Sequence, residues 1–154
     1  MFRIAVCDDN DAVCSAIENT IDGFFKTESI HYEIDSFQSG EELLEELNDH
    51  VKYDLIYLDI ELAQLNGVAV GRYIRENLLD DYTQIAFISA KPSYALELFQ
   101  IRPIHFLVKP FTPRQVIGIL EKAMELQGRQ IKIFSYKTGK VENRIPFKDI
   151  MYFS

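Results

Sequence analysis

Five side chains in this 154-residue sequence stand where short apolar runs stop, and their types belong together chemically. Asp8 and Asp9 end FRIAVC, Asp59 ends LIYL, Ser89 ends IAFI and Lys109 ends IHFLV. Three clustered carboxylates repel one another and stay ionised together only around a cation; oxygen ligands with retained waters suit Mg²⁺. A carboxylate facing that ion can attack a phosphoryl group, because the metal screens the nucleophile from the phosphate and takes up charge in the transition state. Asp59, central between the acid pair and the Ser89 and Lys109 side, is the natural nucleophile. The Ser89 hydroxyl can then donate to one phosphoryl oxygen while the Lys109 ammonium pairs with another. Lys109 precedes Pro110, so their peptide bond can be cis, which would fix how the lysine is aimed.

Taken singly, each residue also has a structural account. Asp8 and Asp9 can be caps or first-turn acids of a following helix. Asp59 can be a turn residue, Ser89 a cap, and Lys109 an exposed lysine before a turn. The conjunction at four strand ends is what carries the chemical reading.

Positioning these groups is a task for alternating strands and helices. Phe2 to Cys7 is a short apolar run that predicts a buried strand. Val13, Ile17, Ile21 and Phe24 or Phe25 then recur at helical spacing, with Asn10 or Asp11 available as N-cap. His31 to Phe37 reads as a strand. Ser39 with Glu42 forms a capping box, opening a helix whose apolar stripe is Leu43, Leu44 and Leu47. Leu55 to Leu58 is another buried run, and Val68 to Leu79 has helical periodicity. Ile85 to Ile88 and Ile104 to Val108 repeat the theme, followed by helices over Pro92 to Ile101 and Pro113 to Leu126, each with a Pro suited to its first turn. Such alternation points to an α/β fold, a parallel sheet with helices on both faces, and for five units to the flavodoxin-like strand order 2-1-3-4-5. In that order the first, third, fourth and fifth strands are neighbours about 4.8 Å apart, so Asp8, Asp9, Asp59, Ser89 and Lys109 line one edge. From Gln130 the pattern changes. IKIFSY, Lys137-Thr138-Gly139-Lys140 and VENRIPF read as strand, turn, strand.

At 47% hydrophobic and 26% charged the composition is that of a packed globular chain. A net charge of −8 argues against binding nucleic acid or anionic lipid through a uniform positive surface. The charge is uneven: residues 1–128 carry −12 and residues 129–154 carry +4, the sign reversing at Gln127-Gly128-Arg129. The start, MFRIAVCDDND, lacks the pattern of a secretory signal, and no apolar run approaches the roughly 18 residues of a membrane span. Cys7 and Cys14 suit buried small hydrophobes in a reduced, cytoplasmic setting. His31, His50 and His105 show no metal-ligand spacing, so surface or packing roles are expected for all three.

The motifs AVCDDN, DLIYLDIELAQLNG, FISA and HFLVKPF resemble the receiver domains of two-component response regulators, over roughly residues 1–126. That resemblance implies that Asp59 is phosphorylated by a sensor histidine kinase. It also implies that Asp8, Asp9, Asp59 and the backbone carbonyl of Glu61 hold Mg²⁺, and that Phe106 is the aromatic whose rotamer couples to Ser89. FISAKPSYALELFQIRPIHFLVKPF and the tail IKIFSYKTGKVENRIPFKDIMYF are most similar to LytTR-type regulators, whose output domain is an all-β DNA binder. On this reading residues 1–127 are the response regulatory domain, and residues 128–154 are a linker with the first strands of a truncated DNA-binding domain. Two positions depart from the family pattern: Ala63 where Pro is common, and His105 where an acid usually precedes the aromatic. They bear on loop rigidity and local pairing.

The resemblance further implies a phosphoacceptor regulator rather than an enzyme, its own chemistry limited to self-phosphorylation and self-dephosphorylation. A homodimer is expected on phosphorylation, or through the apolar tail. The expected face includes the helix over Pro92 to Ile101, where Tyr94, Leu98 and Ile101 form a stripe that can equally be core. Specific DNA binding is expected only of a full-length protein, and no membrane contact. Three rivals remain. An Asp-nucleophile phosphatase of the haloacid-dehalogenase kind wants Asp-x-Asp after its first strand, whereas Asp59-Ile60-Glu61 follows the third. A flavodoxin-like cofactor binder needs a phosphate loop after the first strand, where Asp8-Asp9-Asn10-Asp11 would repel phosphate. A pseudo-receiver that only binds partners leaves the complete acid, hydroxyl and lysine set without a use.

Overall fold

In a computed structural model, which describes residues 1–137, the carboxyl ends of five parallel strands meet along one edge of a single sheet. The strands are β1 (Phe2–Cys7), β2 (Tyr32–Phe37), β3 (Leu55–Asp59), β4 (Gln84–Ser89) and β5 (His105–Val108), in the order β2-β1-β3-β4-β5. Because side chains alternate across a strand, the central strands feed two cores. On one face Cys7, Ile56, Leu58, Ile85 and Phe87 pack under α2 (Gly40–Asn48), α3 (Gly67–Arg72) and a helical segment over Pro92–Ile101. On the other, Ile4, Val6, Leu55, Tyr57 and Ile88 pack under α1 (Asp11–Phe25) and α4 (Pro113–Lys137). The buried Tyr57 hydroxyl donates to the Val116 carbonyl at 2.8 Å, tying β3 to α4.

The register sets the level of the site. Cys7 pairs with Leu58, Asp59 with Ile88, and Ser89 with Val108, so the residues that end each strand arrive within one or two positions of a common line. Local capping places the helices that follow. Asn10 is the N-cap of α1, accepting from Ala12 and Val13 N–H, which leaves Asp8 and Asp9 free of that duty. Ser39 caps α2 through Glu42 N–H at 3.1 Å, but the Glu42 carboxylate reaches past the cap to Gln38 N–H at 3.0 Å. Asn66 caps α3, and Gly67 lets that helix start against the end of β3: a Cβ there would lie 2.3 Å from the Asp59 carbonyl oxygen.

Three helical expectations change in detail. The Val68 to Leu79 helix widens after Arg72 into a π turn over Tyr73–Asn77, with Leu78 N–H reaching the Tyr73 carbonyl at 3.0 Å. The wide turn accompanies a buried Arg75, whose guanidinium donates to the carbonyls of Ile101 and Asp80, both at 2.7 Å. The Pro92–Ile101 helix is wound as a tighter 3₁₀ helix, with no side-chain N-cap at Lys91 and a left-handed Arg102 at its end. At three residues per turn, Leu98 and Ile101 share one edge and are buried, while Leu96 and Phe99 share another and are 87% and 81% exposed. Leu98 and Ile101 are therefore core, with Tyr94 partly buried beside them.

The third change is at the end of the last helix. IKIFSY, expected as a strand, continues α4 to Lys137. An established helix gains one backbone hydrogen bond per added residue, and β-branched residues cost it only a few tenths of a kcal/mol each, whereas an isolated strand pair is marginal in water. Gly128 does not take the left-handed conformation that ends helices. Thr138 onward, including the expected turn, the VENRIPF strand and the apolar tail, lies outside the described residues.

Two glycines should respond oppositely to alanine. Gly67→Ala drives a methyl into the backbone of Asp59 and Ile60 and should destabilise by about 1–3 kcal/mol. Gly118→Ala, inside α4 with nothing within 4 Å, should stabilise by about 0.5–1 kcal/mol. Urea midpoints of the two variants check both signs.

Candidate functional site

Four strand ends deliver the site. Asp8 extends β1 by one residue, its N–H donating to the Phe37 carbonyl at 3.1 Å, and its Oδ1 accepts from Asn10 N–H at 2.9 Å. Asp59 closes β3, and its Oδ1 accepts from Glu61 N–H at 3.4 Å. Both carboxylates are buried, whereas Asp9 faces solvent beside them. Lys109 leaves β5 with its N–H bonded to the Ser89 carbonyl at 2.8 Å, and its peptide bond to Pro110 is cis. Its ammonium lies 3.1 Å from Asp8 Oδ2 and 3.6 Å from Asp59 Oδ1. Ser89 is buried at the end of β4, where its Oγ accepts from Lys91 N–H at 2.9 Å and its hydroxyl donates to the Glu61 carboxylate. Phe106 stands apart on β5, opposite Phe87 and half-buried against the cluster holding Tyr94, Leu98 and Ile101.

The electrostatics follow from this crowding. Burial, then the charge of Asp8, push the Asp59 carboxyl up to about 6, with Lys109 opposing and Glu61 adding a smaller push. Burial works against the Lys109 ammonium, but the hydrogen bond to Asp8 and the charges of Asp59, Asp8 and Glu61 outweigh it and hold this lysine above its ordinary range. Carboxylate oxygens of Asp8, Asp9 and Asp59 lie within 4.8 Å of one another. Asp8 Oδ2 is buried and, the neighbouring ammonium aside, receives no directed hydrogen bond. A hard divalent cation fits such a donor set: three carboxylates, one with a buried lone pair to spare, and an open side at Asp9 for retained waters.

The structure brings Asp8, Asp9, Asp59, Ser89, Glu61 and Lys109 together and leaves Phe106 one core away. Two participants escaped the sequence reading. The family resemblance gives Glu61 a role only through its backbone carbonyl, yet its carboxylate takes the Ser89 hydroxyl. Gly67 carries a signal in the Asn66-Gly67 pair, a capping residue and then a glycine, within the motif DLIYLDIELAQLNG. The histidines are exposed. Both cysteines are buried and free, and burial pushes the Cys7 thiol well up and the Cys14 thiol up to about 11, as inert packing groups require.

Comparison with known proteins bears on the family and the fold. Residues 4–121 match the family model of the response regulator receiver domain. The sensory transduction protein LytT of Enterococcus faecalis is 28% identical over 107 residues, which are 70% of this chain and 43% of that protein. The transcriptional regulatory protein ResD of Bacillus subtilis is 31% identical over 126 residues, 80% of this chain and 48% of that protein. The chain thus spans less than half the length of these curated relatives. Among solved structures, the response regulatory domain of protein MrkE from Klebsiella pneumoniae superposes with a TM-score of 0.70 at 25% identity, covering 81% of this chain and 97% of that one.

The raised Asp59 carboxyl has a consequence for stability. An aspartate free in the unfolded chain titrates near 3.8 and Asp59 in the fold near 6, so between those values the folded state holds more proton. Its contribution to stability is then lost as pH rises through that window. Without divalent metal, Asp59→Asn should melt higher than the parent at pH 7, and the gap should shrink towards pH 4. Mg²⁺ at pH 7 should narrow it. Thermal melts of the pair across this range read the effect, and a gap independent of pH would contradict it.

Proposed function

The chain belongs to the response regulator receiver domain family, and from that membership together with the site geometry we propose that Asp59 accepts a phosphoryl group from a sensor histidine kinase. The observation that carries the reading is the Lys109 ammonium held 3.1 Å from Asp8 and 3.6 Å from Asp59 at the strand ends. Asp8, Asp9, Asp59 and the backbone carbonyl of Glu61 would hold Mg²⁺, supported by the three clustered carboxylates. Bound there, the ion neutralises charge on the acids and on the phosphoryl oxygens.

In the transfer, one Asp59 oxygen forms a bond to phosphorus as the bond from phosphorus to the donor histidine nitrogen breaks, and that electron pair stays with the nitrogen. Asp59 reacts as a carboxylate, so no proton must be removed from it; with its carboxyl at about 6 it is mostly ionised at neutral pH. Lys109 then exchanges its pairing with Asp59 for one with a phosphoryl oxygen. The Ser89 hydroxyl donates to another, and Phe106 answers the shift of Ser89. Self-phosphorylation from a small acyl phosphate and hydrolysis of the acyl-phosphate product are the only reactions assigned to the chain.

We assign residues 1–127 to the receiver and 128–154 to a linker and the start of a LytTR-type DNA-binding domain. The reversal of charge beyond Gln127 supports that division. Phosphorylation favours self-association through the face of the Pro92–Ile101 helix, β5 and α4, supported by the exposed Leu96, Phe99 and Val108.

Acetyl phosphate with Mg²⁺ should add a single phosphate to the protein, read as intact mass. Addition that persists in Asp59→Asn, or in EDTA, overturns the assignment. Sedimentation with and without beryllofluoride and Mg²⁺ should show a monomer becoming a dimer, and Leu96→Glu with Phe99→Glu should keep it monomeric.

A further inference from the structure

Glu61 lies two residues beyond Asp59, on the loop that leaves β3, and its side chain turns back across the site. The Ser89 hydroxyl donates to one of its carboxylate oxygens and Ala90 N–H donates to the other at 3.3 Å. Its own N–H is bonded to Asp59 Oδ1 at 3.4 Å, so the base of this side chain is fixed to the nucleophile while its tip is bonded to β4. Ser89 is buried, and the other polar partners of its hydroxyl are the backbone N–H and carbonyl of Lys91.

A carboxylate and a phosphoryl group offer donors the same thing, a pair of anionic oxygens on one atom that can accept two hydrogen bonds side by side. We propose that the Glu61 carboxylate occupies the seat of the phosphoryl oxygens, holding Ser89 and Ala90 until it is displaced, and so sets how fast Asp59 is phosphorylated. The inference rests on the phosphoacceptor reading of Asp59 and adds a positioning residue to it. Glu61 has somewhere to go: it is only half-buried, and Ala90 and Lys91 beside it are exposed. The donors it releases are those a phosphoryl group needs, so its departure and the arrival of the phosphate are one exchange of hydrogen bonds. Simple repulsion of an anionic donor by a nearby acid is a different idea, because it would not involve Ser89.

A double-mutant cycle separates the two. The readout is the rate of phosphate addition from acetyl phosphate at saturating Mg²⁺, by intact mass. Glu61→Ala should be phosphorylated about tenfold faster, a factor equivalent to roughly 1.4 kcal/mol. Glu61→Gln, which keeps an acceptor oxygen for Ser89 without the charge, should fall between Ala and the parent. In a Ser89→Ala background most of the acceleration from Glu61→Ala should disappear. Beryllofluoride with Mg²⁺ gives a second readout without a covalent step, and it should bind Glu61→Ala more tightly than the parent by a similar factor. An unchanged or slower rate in Glu61→Ala overturns the proposal, as does a full acceleration that survives in Ser89→Ala. Absence of phosphate addition in the parent itself overturns the phosphoacceptor reading and the proposal with it.

Discussion

Two carboxylates, Asp8 and Asp59, are buried side by side, and one ammonium stands against both of them. Buried like charges are costly, and a single cation within about 4 Å cannot cancel two anions. The imbalance is visible in the Asp59 carboxyl, pushed up to about 6, and in the Lys109 ammonium, held above its ordinary range by the acids around it. Every other feature of the site answers to this. The fold accepts the cost because hydrophobic faces on both sides of β1 and β3 leave no freedom in where those strands end.

Delivery of the charges depends on parallel pairing more than on any single contact. Asp8 and Ile60 both continue the backbone pairing one residue past the strands, through Phe37 and Ile88 carbonyls, so the side chains between leave the sheet at a defined height. Gly67 then allows α3 to press on the Asp59 carbonyl, closing the loop after β3 tightly enough for Glu61 to turn back on Ser89. A slip of one residue in β4 would turn Ser89 to the other face of the sheet and remove the hydroxyl from that group.

Much of this was legible in the residues. Central strands buried on both faces read as unbroken apolar runs, and the polar residue that stops each run marks the edge where ligands gather. That is why the strand-end positions of Asp8, Asp59, Ser89 and Lys109 are legible in the sequence. Helix type was less legible. Ten residues from Pro92 to Ile101 contain too few turns to distinguish three residues per turn from 3.6, and the π turn after Arg72 answers to a buried Arg75 whose partners come from distant carbonyls. The role of the Glu61 side chain is not legible either, because its partners depend on the direction of a loop. IKIFSY has strand composition, but propensity of that size yields to a helix already under way.

Arg75 has one more consequence. Its guanidinium grips the Ile101 carbonyl at the far end of the 3₁₀ helix, while the near end begins at Lys91, whose N–H rests on Ser89 Oγ. The two ends of the helix are thus held by different parts of the molecule, one by a buried guanidinium and the other by the serine of the site. A displacement of Ser89 would therefore reach this segment first at Lys91, the end remote from the buried anchors Leu98 and Ile101.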